Sequence, residues 1–240
     1  MSEPENASGP DDSAAESAPR RLPALHPHQR RVLAVLVEKA KTTPDSYPLS
    51  LNAIQVGCNQ KSNRDPVMQL DGDDVLIALD GLRALEAVTE IQGGGRVSKY
   101  RHHAYDWLGV RGKHAAVMIE LLLRGPQTLG EIRARASRME KLEDLQTTTN
   151  IVNDLISQNL VMALGRPGRG QQFAHTLYEP DEMQRLRTAD EENEAPVATP
   201  PAQATTPVAP AAVDSGWESL QKQIDALTDR IEQLEKRLDS

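Results

Sequence analysis

Cysteine, aromatic residues and long apolar runs are all scarce in this 240-residue chain. The single thiol, Cys58, excludes an internal disulfide framework and suits a reducing compartment. Two Trp, four Tyr and one Phe are too few for a packed core along the whole length, so part of the chain must lie outside one. No apolar run reaches the length of a membrane span. The longest, Ala115 to Leu123, is interrupted by Glu120 and reads as a core helix. The first residues are acidic and carry no apolar stretch, which argues against a secretory signal. The expected setting is cytoplasmic, with no membrane partner.

What is abundant is charge, unevenly placed. Residues 1–19 hold five acids and no Lys or Arg, and residues 188–240 hold eleven acids against four bases. Residues 20–115 hold fourteen bases against ten acids, and residues 116–187 nine of each. The net charge of −8 therefore resides in the tails. An acidic chain of this kind can still present a neutral to basic folded part to nucleic acid.

Residues 1–20, rich in Ser, Pro, Ala and acids, read as a disordered tail, and residues 188–214, rich in Pro, Ala and Thr, as a disordered linker. Between them the sequence repeats itself. The first unit, 21–108, predicts a helix over Pro27 to Lys41 and a second through Leu51, Ile54 and Val56. A third opens after Asp71 as N-cap and turns Val75, Leu76, Leu79, Leu82 and Leu85 inward. Val88 to Ile91, the glycines Gly93 to Gly95 and Val97 to His103 then read as strand, turn and strand. The second unit, 109–187, predicts helices over Ala115 to Arg124, Leu129 to Arg138 and Leu145 to Gln158. Its hairpin is Val161 to Leu164 with Gln171 to Leu177. Val32 aligns with Val117, Ile54 with Ile132, Leu82 with Leu155, and Tyr100-Arg101-His102 with Phe173-Ala174-His175. Three helices and a hairpin, twice, is the plan of two tandem winged helix-turn-helix domains, an α+β and mainly helical fold. Gly81, inside the third helix, costs about 1 kcal/mol relative to Ala and suggests close packing.

The first unit is longer by polar, Pro-punctuated insertions at Thr42 to Ser50 and Asn59 to Leu70. Elaborated loops are where function tends to sit, although such residues also cap helices and close turns. Asp45, Tyr47, Asn59, Gln60, Lys61, Asn63, Arg64 and Asp65 are accordingly candidates for an interaction loop.

The stretches Thr42 to Ile54, Cys58 to Met68 and Leu121 to Arg135 are similar to the YceH-like family of bacterial proteins. The resemblance runs over about residues 22–178. It implies a tandem winged-helix fold and does not imply a reaction.

No convergent set of catalytic groups is visible. Cys58 lies on an amphipathic helix and reads as a small buried hydrophobe. His102 and His103 alternate across a strand, His26 and His28 have no further ligand at zinc spacing, and Gly93 to Gly95 lacks the context of a phosphate loop. The expectation is a non-enzymatic protein without metal or cofactor. For nucleic acid, the third helix of the first unit is unpromising, because Asp71, Asp73, Asp74 and Asp80 would repel phosphates. The hairpins are better. Arg96, Lys99 and Arg101 in the first and Arg166 and Arg169 in the second are candidate nucleic-acid contacts, and the third helix of the second unit offers Gln146, Thr147, Thr148 and Asn150. Double-stranded DNA is the favoured partner and a protein–protein scaffold the alternative.

Residues 215–240 place Trp217, Leu220, Ile224, Leu227, Ile231, Leu234 and Leu238 at alternating spacings of three and four. Trp217, Ile224, Ile231 and Leu238 fall at a and Leu220, Leu227 and Leu234 at d. The β-branched Ile224 and Ile231 at a with Leu at d favour a parallel two-stranded coiled coil, hence a homodimer.

Overall fold

The computed structural model describes residues 22–92, 97–168 and 170–194. Helix α1, Pro27–Thr42, begins where His26 and Gln29 form a reciprocal capping box with Pro27 at the first helical position. A short 3-10 turn, Pro44–Ser46, leads to strand β1, Leu49–Ser50, and Ser50 then caps α2, Leu51–Cys58. Asp71 caps α3, Gly72–Ala84, which buries Val75, Ala78, Leu79 and Leu82. Strands β2, Val88–Ile91, and β3, Lys99–His102, complete the first repeat.

After the short α4, Ala104–Leu108, the same order returns: α5, Gly112–Arg124; β4, Gln127–Thr128; α6, Leu129–Ala136; α7, Leu145–Ser157; β5, Val161–Leu164; and β6, Gln172–His175. Helix α8, Pro180–Glu194, follows.

The two sheets share one topology, β1-β3-β2 and β4-β6-β5, all antiparallel. Tyr100 pairs with Leu49 in its sheet as Phe173 pairs with Gln127 in the other. The likeness extends to the backbone. Asp71 and Asp144 cap the third helices. Glu86 and Asn159 end them, both at φ 57°. The amides of Ala87 and Leu160 then return to the carbonyls of Leu82 and Leu155.

Every aligned apolar pair is buried: Val32 with Val117, Ile54 with Ile132, Leu82 with Leu155, Tyr100 with Phe173. The differences from expectation are local. Leu76 is exposed, because the inward face of α3 follows Val75, Ala78, Leu79 and Leu82 and leaves Leu76 and Ile77 outside. Strand β3 ends at His102, and His103 becomes the N-cap position of α4. The repeats do not stand apart at residue 108. Helices α1 and α5 pack together, and one apolar core runs through both repeats. No helix among the described residues is long and apolar enough to cross a membrane. The tail 1–20, residues 195–214 of the linker and the Trp217 to Leu238 seam lie outside the described residues, whereas residues 188–194, expected as disordered linker, continue α8.

Candidate functional site

Strand β3 alternates Lys99 out, Tyr100 in, Arg101 out, so pairing in the sheet holds both cations on one exposed face. Neither has an ion-pair partner among the described residues. Most neighbouring charges are matched: Arg83 contacts Asp80 at 3.0 Å and Glu90 at 3.3 Å, and Arg111 pairs with Asp106. His103 Nε2 lies 2.7 Å from the Thr89 hydroxyl on the adjacent strand. Arg96 and Arg169 lie outside the described residues. Arg166 follows β5 at the start of the second hairpin turn.

The third helices of the two repeats present different chemistry. On α3 the carboxylates of Asp73 and Asp74 stand in the first turn, and Ile77 is exposed beside them. On α7 the outward face is Gln146, Thr149, Asn150 and Asn153, at the spacing of one helical stripe. Gln146 Nε2 donates to Asn150 Oδ1 at 3.0 Å. Thr148, expected on this face, is buried instead, and its hydroxyl donates to the Asp144 carbonyl. Lys113 neutralises Glu143 ahead of the helix at 2.7 Å, and Lys141 is exposed in the loop before it.

The polar insertions are built into the seam between the repeats. The Tyr47 hydroxyl accepts from the His102 amide at 2.6 Å, and burial pushes its pKa up to about 12. Asn59 donates to the Leu70 carbonyl and accepts from its amide, both at 2.8 Å. Gln60 Oε1 accepts from Arg64, and Asn63 Oδ1 accepts from Arg124 of α5. The Asp65 amide donates to the Leu123 carbonyl. Arg64 is buried against Glu38 of α1. Asp45 and Lys61 point into solvent.

From Glu38 the network continues. Arg138 bridges Glu38 to Glu120 of α5, and Glu120 also faces Arg124 at 3.1 Å. Sequence reasoning missed Glu38, Glu120 and Arg138. A glutamate inside each of two apolar helical runs was the available signal.

Cys58 is buried and its thiol is pushed up to about 12 by burial, which leaves no thiolate for nucleophilic work. No cluster of three or more potential metal-ligating side chains occurs among the described residues.

A family profile described as "Protein of unknown function, DUF480" matches residues 25–170, which takes in both repeats and both insertions. A UPF0502 protein of Rhodopirellula baltica is 54% identical over 190 residues, 79% of this chain and 80% of that protein. One from Geobacter sulfurreducens is 47% identical over 167 residues, 68% and 76% of the two chains. One from Hahella chejuensis is 37% identical over 215 residues, 86% and 95%.

Proposed function

The chain belongs to the DUF480/UPF0502 family of bacterial proteins, and from that premise we propose that it is a tandem winged-helix protein of YceH-like type that binds double-stranded DNA without catalysing a reaction. The observation that carries this reading is the outward stripe of α7, Gln146, Thr149, Asn150 and Asn153. Amide side chains on the third helix of a winged-helix unit can pair with adenine edges in the major groove. Lys99 and Arg101, without an ion-pair partner among the described residues, supply phosphate or minor-groove contacts, and Arg96, Arg166 and Arg169 are further candidate contacts read from the sequence. Helix α3 takes no part in reading bases, because its carboxylates would face phosphates. The buried Cys58 favours binding over nucleophilic chemistry. The Trp217 to Leu238 seam makes the protein a parallel homodimer, placing two cores on one duplex.

Fluorescence anisotropy of the full chain on random duplex DNA tests this. Saturable binding that weakens linearly in log–log salt titration is the expected result. Absence of binding at low salt and micromolar protein would transfer the proposal to a protein–protein scaffold. A specific feature favours that second reading: Ile77 and Leu76 are exposed on α3 beside its carboxylates, a mixed apolar and acidic face suited to a protein.

A further inference from the structure

Between the repeats lies a cleft of about 590 Å³, bounded by α1, the Asp65–Met68 part of the second insertion, the end of α5 and the start of α8. Its volume is that of a small-molecule site rather than of a single ion. Met68 and Leu122 give it an apolar wall, and Arg30, Arg31, Arg124 and Arg185 bring four guanidinium groups to its lining.

The seam beneath this cleft holds more positive than negative charge. Glu182 of α8 answers Arg30 with two hydrogen bonds of 2.6 and 2.7 Å. Glu38 answers Arg64, and Arg138 is shared between Glu38 and Glu120. Arg124 has the remaining access to Glu120. Arg31 is left with no ion-paired carboxylate among the described residues, although it is 1% exposed. Asp65, at the rim, is exposed and acts on it only at a distance. Arg31 is held by carbonyls instead, those of Cys58 at 3.1 Å, Pro66 at 2.8 Å and Leu123 at 3.4 Å. Two of these belong to the C-terminal ends of α2 and α5, whose dipoles offset part of the charge.

Four buried donors lack a hydrogen-bond partner among the described residues, the Nε–H of Arg31, Arg124 and Arg138 and the Tyr178 hydroxyl. Arg124 Nε faces Glu120 at 3.1 Å and Arg138 is ion-paired with two carboxylates, which leaves Arg31 and Tyr178, and both residues line this cleft. Tyr178 is fixed in place by His175, stacked at 3.8 Å, and by the Arg30 guanidinium 4.8 Å above its ring. Its hydroxyl lies beside the Gly125 backbone, where an added Cβ would be in ordinary contact with it at 3.4 Å. Buried donors without acceptors are rare in native structures, and two that border one cationic cleft point to a missing acceptor.

We propose that this cleft binds a small organic oxyanion, a phosphate monoester or carboxylate, whose oxygens accept from Arg31 and Tyr178 while its apolar part lies against Met68 and Leu122. Arg124 and Arg185 supply attraction at the mouth. Burial and the neighbouring Arg64 lower the Arg31 pKa to about 10, so it remains a cation at neutral pH. The site is separate from the α7 face and does not depend on DNA binding.

The test uses inorganic phosphate as probe. Backbone amide NMR of the full chain is followed during titration with sodium phosphate, against sodium chloride at equal ionic strength. Saturable shifts at Gly125, Gln127 and Tyr178 are expected with phosphate alone. Tyr178→Phe should weaken binding about fivefold, the effect of one lost hydrogen bond. Arg31→Lys, which keeps the charge and removes the fork, should weaken it by about tenfold or more. Tyr178→Phe removes a hydroxyl that bonds nothing else, so it reports on the site even if Arg31→Lys fails to fold. Shifts that never saturate, or that saturate identically in Tyr178→Phe, would overturn the proposal. So would movement of the same amides by duplex DNA, which would make the cleft a contact for backbone phosphate.

Discussion

Arg64 and Glu38 form a buried ion pair, Nη2 to Oε2 2.5 Å, that ties an insertion of the first repeat to helix α1. Glu38 also meets Arg138 of the second repeat, so one carboxylate joins three segments that are distant in sequence. Burial by itself would raise the Glu38 pKa. The hydrogen bonds and charges of Arg64 and Arg138 outweigh it and hold the group below its usual value. A depressed carboxylate stabilises the fold above its unfolded pKa, and that contribution is lost as pH falls through the folded one.

Arg64→Ala should therefore destabilise the protein by about 3 kcal/mol, since it breaks a buried pair and leaves a carboxylate that is 2% exposed with Arg138 alone to answer it. Arg64→Met combined with Glu38→Leu should recover much of the loss, because no charge is then left unanswered at the pair. Urea unfolding of the three variants measures both. A loss below about 1 kcal/mol in Arg64→Ala would mean the pair is solvated rather than buried.

Two glycines should respond oppositely to alanine. At Gly57 an added Cβ would lie 2.6 Å from Val35 Cγ1, a short branched side chain in the core that cannot swing away. Gly57→Ala should cost about 2 kcal/mol. At Gly81 the Cβ would meet the Nε2 of Gln29, the far end of a flexible side chain. Gly81→Ala gains about 1 kcal/mol of helix propensity and gives back about as much if Gln29 leaves the α1 capping box. Thermal unfolding should show a clear drop for the first and little change for the second. A large drop at Gly81 would mean that Gln29 is held rigidly.

What the sequence made legible was local. Asp71 as a cap, the buried alignment of Tyr100 with Phe173 and the three-helix order all follow from short-range period and capping. Strands β1 and β4 were not legible, because two residues carry no alternation. Helix α8 was missed because its residues are polar, and its one strong anchor, Arg30 with Glu182, spans 152 positions. Arg64 read as a loop residue for the same reason: nothing near it in sequence announces Glu38, 26 positions away. The α7 stripe was read in part, with Thr148 on the wrong side, since Thr suits either face of a helix.

On the DNA reading, Lys99→Ala with Arg101→Ala should weaken duplex binding and flatten its salt slope by about two, one for each phosphate contact removed. Gln146→Ala with Asn150→Ala should leave the slope alone and reduce discrimination between sequences. Asp73→Asn with Asp74→Asn should leave binding equal or stronger. An unchanged affinity in the Lys99/Arg101 variant would remove the first hairpin from the interface.

The C-terminal seam makes its own prediction. Light scattering should find a dimer for the full chain at micromolar concentration and a monomer for a 1–213 truncation. The heptad spans little more than three repeats, Trp217 to Leu238, so the dimer should dissociate on dilution. A truncation that stays dimeric would assign self-association to the repeats.

The repeated histidines set the response to acid. His102 and His175 end equivalent strands, and each Nδ1 accepts the amide two residues on, from Ala104 at 3.3 Å and from Leu177 at 3.2 Å. That bond requires an unprotonated Nδ1, so both rings are neutral in the native fold. Burial lowers the His102 pKa to about 4, with His103 and Arg101 adding to it. Burial, then the charge of Arg30, lowers that of His175 well below the ordinary value. For a group whose folded pKa is depressed, the unfolded chain binds the proton first. Stability is thus complete above the ordinary imidazole value of 6.5 and falls as pH drops below it, levelling near pH 4 for His102. Each histidine can contribute a slope approaching about 1.4 kcal/mol per pH unit in that window. Urea unfolding at intervals from pH 8 to pH 5 should show the decline begin near 6.5. His102→Asn keeps an acceptor close to the Nδ1 position and cannot be protonated, so it should remove about half of the slope while costing little at pH 8. If His102→Asn leaves the slope intact, the imidazole is solvated and the pairing with Ala104 does not hold in solution.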